Sequence, residues 1–175
     1  VTSLPGCCAC ITALTLSGLP TRRFCFEGFL PTDKKEKAFV LEELARETRT
    51  MILYEAPHHL KRTLSELLEV LGERRITLCR ELTKKFETIM PTTLGGAADY
   101  YEENEPKGEY VLVIEGKSRK EIEEEQQKSW ESMSIEEHMD FYEKQGIDRK
   151  SAMKKVAADR GVGKREIYQA LLKDE

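Results

Sequence analysis

An α/β fold is what this sequence predicts, on three observations. Short apolar runs at Thr50 to Tyr54, Ile76 to Cys79 and Tyr110 to Ile114 read as buried strands. Between them lie stretches with apolar residues at helical spacing, most plainly Leu60, Leu64, Leu67, Leu68 and Leu71. Strands alternating with amphipathic helices make a sheet with flanking helices and at least some parallel pairing. A length of 175 residues suits one domain of ordinary size, or a domain with a small appendage.

Taken in order, Val1 to Leu4 reads as the tail of a strand, which Pro5-Gly6 turns into a helix from about Cys7 to Ser17. With no lead-in to that strand and no initiator methionine, the chain reads as the back part of something longer. Gly18-Leu19-Pro20 stops the helix, and Phe24 to Pro31 is a short aromatic strand ending in a Gly/Pro loop. Asp33 caps a helix carrying Leu41, Leu44 and Ala45. Lys34, Lys35 and Lys37 on its first turn oppose the helix dipole and call for screening by solvent or for a phosphate-bearing partner.

Thr50 to Tyr54 is the clearest buried strand, and Glu55-Ala56-Pro57 passes it into a helix with proline at its first turn, where the missing N–H costs nothing. Gly72 ends that leucine-faced helix. The strand through Cys79 follows, then a partner strand at Glu87 to Met90, a short helix from Leu94 to Tyr101 and the last strand at Tyr110, closed by Gly116.

Beyond Gly116 the composition changes. Arg119 to Trp130 is a charged helix with little apolar face, a connector rather than core. Ser134-Ile135-Glu136-Glu137 is a capping box opening a helix to about Gln145. Asp148 caps a further helix with Ala152, Val156 and Ala157, and after the turn at Arg160 to Gly163 a last one carries Ile167, Leu171 and Leu172. Two short helices about a glycine turn fit a helix-turn-helix unit or a small docking bundle. The expected organisation is an α/β part at 1–116, a connector at 117–133 and a helical part at 134–175.

The net charge of −4 argues against a uniformly basic nucleic-acid binder, but charge is segregated. From Glu121 to Glu143 there are nine acidic residues and one lysine; from Lys144 to Lys173, nine basic and three acidic. The apolar run from Leu4 to Leu19 is broken and too short to span a bilayer, and Val1-Thr2-Ser3 offers no basic start for a secretory signal. Five cysteines, three of them crowded into Cys7 to Cys10, point to a reducing cytoplasm rather than a disulfide framework. No second pair stands at metal spacing to the Cys7-to-Cys10 C-x-x-C, so no metal site is expected.

One stretch stands out as a candidate site. Ile76 to Cys79 alternates as a strand and then breaks into Arg80, Glu81, Thr83, Lys84 and Lys85. In α/β folds, charges at the end of a strand stand where ligand crevices form; a solvated loop is the plain alternative.

Six segments in order carry a resemblance: Leu4-Pro5-Gly6, Ser17-Gly18-Leu19-Pro20, Glu27-Gly28-Phe29-Leu30-Pro31, Tyr54-Glu55-Ala56-Pro57-His58, Glu81-Leu82-Thr83-Lys84 and Lys107-Gly108-Glu109. Together they resemble the C-terminal half of the ribosomal RNA small-subunit methyltransferase I family, within the tetrapyrrole (corrin/porphyrin) methylases. The resemblance covers residues 1 to about 116, with the tail similar to the family's helical appendage. It departs at Cys7 and Cys8, where the family commonly has proline and serine, at Ala56 (serine) and at His59 (arginine).

The resemblance implies a mixed sheet with flanking helices plus a helix-turn-helix-like appendage. It implies S-adenosylmethionine-dependent 2′-O-methylation of a cytidine ribose in 16S ribosomal RNA of the small subunit, in a cytoplasmic enzyme without membrane association and with room for a homodimer. The family's N-terminal half, with its glycine-rich loop, is absent from this sequence, so the isolated chain is expected to be inactive. Matched position by position, Cys8 and Ala9 correspond to small residues against the cofactor, Tyr54 and Glu55 to the strand end beside it, and Leu82 to the residue whose backbone faces the adenine. Glu81 and Lys84 are the implied catalytic candidates, the carboxylate to take a proton and the lysine to stabilise an alkoxide or hold a phosphate. His58 and His59 are alternatives. Two competing readings are a methylase of tetrapyrrole biosynthesis and a non-enzymatic helix-turn-helix adaptor.

Overall fold

In a computed structural model, which describes residues 2 and 5–172, the chain divides into two compact units, Val1–Lys117 and Ser118–Glu175. The strand tail expected at Val1 to Leu4 falls largely outside the described residues.

The first unit is built on a five-stranded sheet in the order β1-β2-β5-β3-β4. Its elements are α1 (Ala9–Leu16), β1 (Phe24–Gly28), α2 (Lys34–Arg46), β2 (Thr50–Glu55), α3 (Pro57–Leu71), β3 (Arg75–Arg80), β4 (Thr88–Thr93), α4 (Leu94–Glu103) and β5 (Tyr110–Ile114). The sheet is mixed. Only β1 and β2 pair in parallel, across the α2 crossover; β2–β5, β5–β3 and β3–β4 are antiparallel. Alternation along the strands splits the core in two. Met51, Leu53, Leu78, Leu112 and Ile114 point to the side of α2, α3 and α4, while Ile52, Cys79, Val111 and Val113 pack with Cys10, Ala13 and Leu14 of α1. With helices on both faces, β5 is buried along its whole length and reads as an unbroken apolar run.

Side chains tie off the helix ends. Asp33 Oδ1 accepts from the Lys35 and Glu36 amides at 3.0 Å to cap α2, and buried Arg74 donates to the Leu44 and Ala45 carbonyls at its other end. Of the three lysines on the first turn of α2, Lys37 has a protein partner, Glu66 at 3.0 Å. The Thr77 hydroxyl donates to the Ser17 carbonyl (2.9 Å), fastening the end of α1 to β3. Gly116 lies against the 48–49 backbone, where a Cβ would meet Thr48 C at 2.3 Å; bare backbone lets the Lys117 amide reach the Glu47 carbonyl at 2.7 Å.

The second unit comprises α5 (Arg119–Glu131), α6 (Ile135–Glu143), α7 (Arg149–Asp159) and α8 (Lys164–Leu171). Capping boxes at Ser118 and Ser134 start α5 and α6, and Asp148 caps α7. Met139, Ala152, Val156, Ala157 and Ile167 form its apolar centre. The end of α5 is tied in by Trp130, whose ring stacks on the buried His138 ring at 4.1 Å and 7°. Among the described residues no helix is long and apolar enough to cross a membrane.

Candidate active site

At the ends of β2 and β5, on the α1 side of the sheet, lies a cavity of about 410 Å³ lined by Ala9, Phe29, Tyr54, Glu55, Glu109 and Val111 among others. Three of the five residues matched to the cofactor, Ala9, Tyr54 and Glu55, meet there. Cys8 is the N-cap of α1, next to Ala9, and Leu82 packs against the same apolar cluster as Tyr54. The structure thus brings three of the five to one cavity, from two separate segments, while Cys8 and Leu82 are not among its lining residues. Phe29 and Glu109 were not singled out from sequence, though both lie in segments that carry the resemblance, Glu27 to Pro31 and Lys107-Gly108-Glu109.

The side chains differ in what they have free to offer. The Glu55 carboxylate is committed: it accepts from the Ala56 amide (2.7 Å) and the Thr63 hydroxyl (2.5 Å), closing the turn into α3. Tyr54 meets Phe26 and Phe29 edge-on at 5.0 and 5.7 Å, a small aromatic wall whose outer members are half-exposed or more. Within the cysteine cluster the close pair is Cys8 and Cys10, Sγ to Sγ 3.2 Å, and all five cysteines are free thiols. The hydrogen bond from Cys10 and the Ile11 amide at the start of α1 hold the exposed Cys8 thiol below its usual range, while burial pushes Cys10 up. Cys79, on the same face of β3, is pushed up to about 12 by burial and is inert core.

Glu81 and Lys84 follow β3 on a tight loop. Glu81 and Thr83 both adopt left-handed backbone, φ 51° and 62°, uncommon for residues with a Cβ and a mark of a loop whose shape is imposed. Glu81 Oε1 accepts from the Glu109 amide at 2.9 Å and from Lys84 Nζ at 3.2 Å, and the Glu81 amide donates to the Glu109 carbonyl. Lys84 Nζ also reaches Glu109 Oε2 at 3.0 Å. The Glu109 amide and then Lys84 hold the Glu81 carboxyl below its ordinary value, and the two carboxylates raise Lys84. Gly108 makes the contact possible, with φ +79° and a site where a Cβ would sit 2.6 Å from Glu81 Cγ. Since Glu109 also lines the cavity, this charged lattice borders it. His58 and His59 stand exposed on the first turn of α3, rings 4.1 Å apart. Among the described residues no cluster of His, Cys, Asp or Glu is arranged to hold a metal ion.

Comparison with known proteins bears on the family and the fold. Residues 1–98 match the family model for Tetrapyrrole (Corrin/Porphyrin) Methylases. The chain is 45% identical over 97% of its length to the ribosomal RNA small subunit methyltransferase I of Bacillus subtilis, covering 58% of that protein. It is 41% identical over its full length to the protein of the same name in Synechocystis, covering 61%. The chain thus spans less than two thirds of these relatives. The crystal structure of the methyltransferase CobJ superposes with a TM-score of 0.51 at 22% identity, over 64% of this chain and 49% of that one, a likeness of fold. A sheet of this order, a cavity at its strand ends and a family match over more than half the sequence lead to one assignment: the chain belongs to the tetrapyrrole (corrin/porphyrin) methylases.

Proposed function

We propose that this chain supplies the C-terminal part of an S-adenosylmethionine-dependent methyltransferase that acts on the ribose 2′-hydroxyl of a cytidine in small-subunit ribosomal RNA, in the cytoplasm. The observation that carries the reading is the meeting of Ala9, Tyr54 and Glu55 at one cavity, in a chain whose relatives at 41–45% identity are named for ribosomal RNA methylation. The cavity falls within the size range of small-molecule sites. Its lining suits the cofactor: the small side chain of Ala9 lets backbone come close, and Tyr54 and Phe29 offer an aromatic wall to a purine.

S-adenosylmethionine, when bound, supplies an electrophilic methyl group. The protein's part is to hold the accepting hydroxyl and manage charge beside it. Glu81 is a poor base in this setting, because the Glu109 amide and Lys84 both stabilise its ionised form. In this reading Glu81 fixes Lys84, and Lys84 meets the developing alkoxide or an adjacent phosphate. The helical unit gives an electrostatic contact to the RNA backbone, since Arg149, Lys150, Lys154 and Lys155 of α7 and Lys164 and Arg165 at the start of α8 are all exposed.

The test is a chimera in which this chain replaces the matching segment of the Bacillus subtilis relative, assayed for methyl transfer to small ribosomal subunits lacking the modification. Transfer to a cytidine 2′-oxygen is expected, and a chimera that folds but labels only a porphyrinogen overturns the reading. Lys84→Ala should lower turnover at least tenfold with cofactor affinity unchanged. The isolated chain should bind S-adenosylmethionine weakly or not at all by calorimetry. Deleting residues from 118 onward should weaken subunit binding and flatten its salt dependence without altering cofactor affinity.

A further inference from the structure

A second cavity, of about 500 Å³, lies beside the end of β3 and is lined by Leu78, Arg80, Thr88, Tyr100, Asn104 and Lys107 among others. It opens on the other face of the sheet. Leu78 belongs to the α2–α4 side of the core, and Arg80, two residues on along the same strand, shares that face, whereas the cavity at Tyr54 lies on the α1 side. The two cavities are joined through the chain itself. Arg80 precedes Glu81, and Lys107 stands two residues before Glu109, so each of these segments sends one residue to this cavity and one to the Glu81–Lys84–Glu109 lattice.

The guanidinium of Arg80 is underused for its position. Nη2 makes one long hydrogen bond, 3.4 Å to the Phe86 carbonyl, and the buried Nε has no hydrogen-bond partner among the described residues. Beyond that one long bond the terminal N–H groups of the guanidinium keep donors to offer at the cavity, and a guanidinium matches a phosphate. Lys107 adds a second charge from a fixed place: its amide donates to the Tyr110 hydroxyl at 3.2 Å, and the Tyr101 and Tyr110 hydroxyls lie 3.3 Å apart. The acidic residue of the lining, Glu105, is paired with Lys61 at 2.6 Å, which leaves the cavity net positive. Tyr100 is 48% exposed at the rim and offers a ring face.

The geometry points to a receptor for a single-stranded RNA segment, with a phosphodiester held by Arg80 and Lys107 and a neighbouring base stacked on Tyr100. This deepens the proposed function and rests on its reading that the substrate is RNA. Phosphate contacts fix register without reading sequence, and an aromatic face accepts any unpaired base, which suits holding nucleotides that flank a modified one.

The test is fluorescence anisotropy of a short labelled single-stranded RNA with the 175-residue chain, across a salt series, with melting curves to confirm that each variant is folded. Lys107→Gln, an exposed change, and Arg80→Gln should each weaken binding about three- to tenfold and reduce the salt slope by about 1. Tyr100→Leu should weaken it about fivefold or more with the salt slope unchanged. Lys34→Gln, on α2 and outside the lining, should do neither. Parental behaviour in both Lys107→Gln and Arg80→Gln overturns the site, as does failure of the parental chain to bind RNA, or a duplex RNA that competes as well as the single strand. Because the readout involves no methyl donor, a chimera that fails to transfer methyl leaves this result standing, and loss of this site leaves the methyl-transfer reading to its own assay.

Discussion

The two units place their buried polar groups differently. In the α/β unit the two apolar clusters flank the sheet, and the buried polar groups each close a local junction: Glu55 with Thr63 at the turn into α3, Thr77 with the Ser17 carbonyl, and Arg74 with the end of α2. The helical unit has a far smaller apolar centre and places a polar group inside it: His138 is fully buried, stacked on Trp130, with Nδ1 accepting from Arg160 Nε at 3.2 Å and Nε2 lying 3.3 Å from Asp159, which also takes the Tyr142 hydroxyl. Arg160 reaches further, to the Met133 and Ser134 carbonyls. Sheet ladder and helices both satisfy their own backbone, so what sets the helical unit apart is a small apolar centre whose packing is fixed by a network of side-chain hydrogen bonds. The first unit should therefore fail through lost volume and the second through lost hydrogen bonds.

That contrast can be broken by experiment. Leu112→Ala removes a fully buried side chain from the central strand and should cost about 3–4 kcal/mol in urea denaturation followed by far-UV circular dichroism. Trp130 is the sole tryptophan of the sequence, and its fluorescence midpoint should not move; a joint shift would mean that the units unfold as one. Arg160→Ala should do the reverse, shifting the Trp130 transition by about 2–3 kcal/mol and leaving the sheet signal in place. Gly108→Ala sharpens the picture at the site: positive φ plus the Glu81 clash should cost about 2 kcal/mol by thermal melting, with Glu81→Ala recovering the clash but not the backbone strain.

The smallest effect is a pH dependence confined to the helical unit. Burial first, and then the Arg160 charge, lower the pKa of His138 below 6.5, so the unfolded chain takes up this proton at a higher pH than the folded one. Stability is complete above 6.5 and declines as pH falls below it toward the folded value. The Trp130 melting temperature should drop over that window, and His138→Phe should flatten the profile. A parental profile that is already flat would remove the buried histidine from the contrast.

Much of this was legible in the sequence because period and punctuation are local. The leucine stripe of α3, the capping boxes at Ser118 and Ser134 and the apolar run of β5 each identify an element from its own residues. Strand order was not legible, since nothing in Tyr110 to Ile114 announces that it inserts between β2 and β3, making most of the sheet antiparallel where alternation of strands and helices suggests parallel pairing. Within the candidate site, Ala9, Tyr54 and Glu55 came from the resemblance, while the commitment of the Glu55 carboxylate to Thr63 and of Glu81 to the Glu109 amide depends on loops brought together across 8 and 28 residues. The cluster around His138 was invisible for the same reason: α5 reads as a charged connector, and its one aromatic gives no sign of its partner.

The placement of β5 also has a kinetic consequence. In chain order it is the last of these five strands, yet it joins β2 to β3 and is buried throughout. Until residue 114 is available, the nascent chain can form the β1–α2–β2 crossover and the β3–β4 hairpin, but these two pieces present unpaired edges and share no ladder. Closing the sheet then requires contacts across roughly sixty positions at once, the kind of long-range step that slows folding and leaves intermediates sticky. Folding of this sheet thus includes an interval in which two half-sheets wait for the strand that joins them.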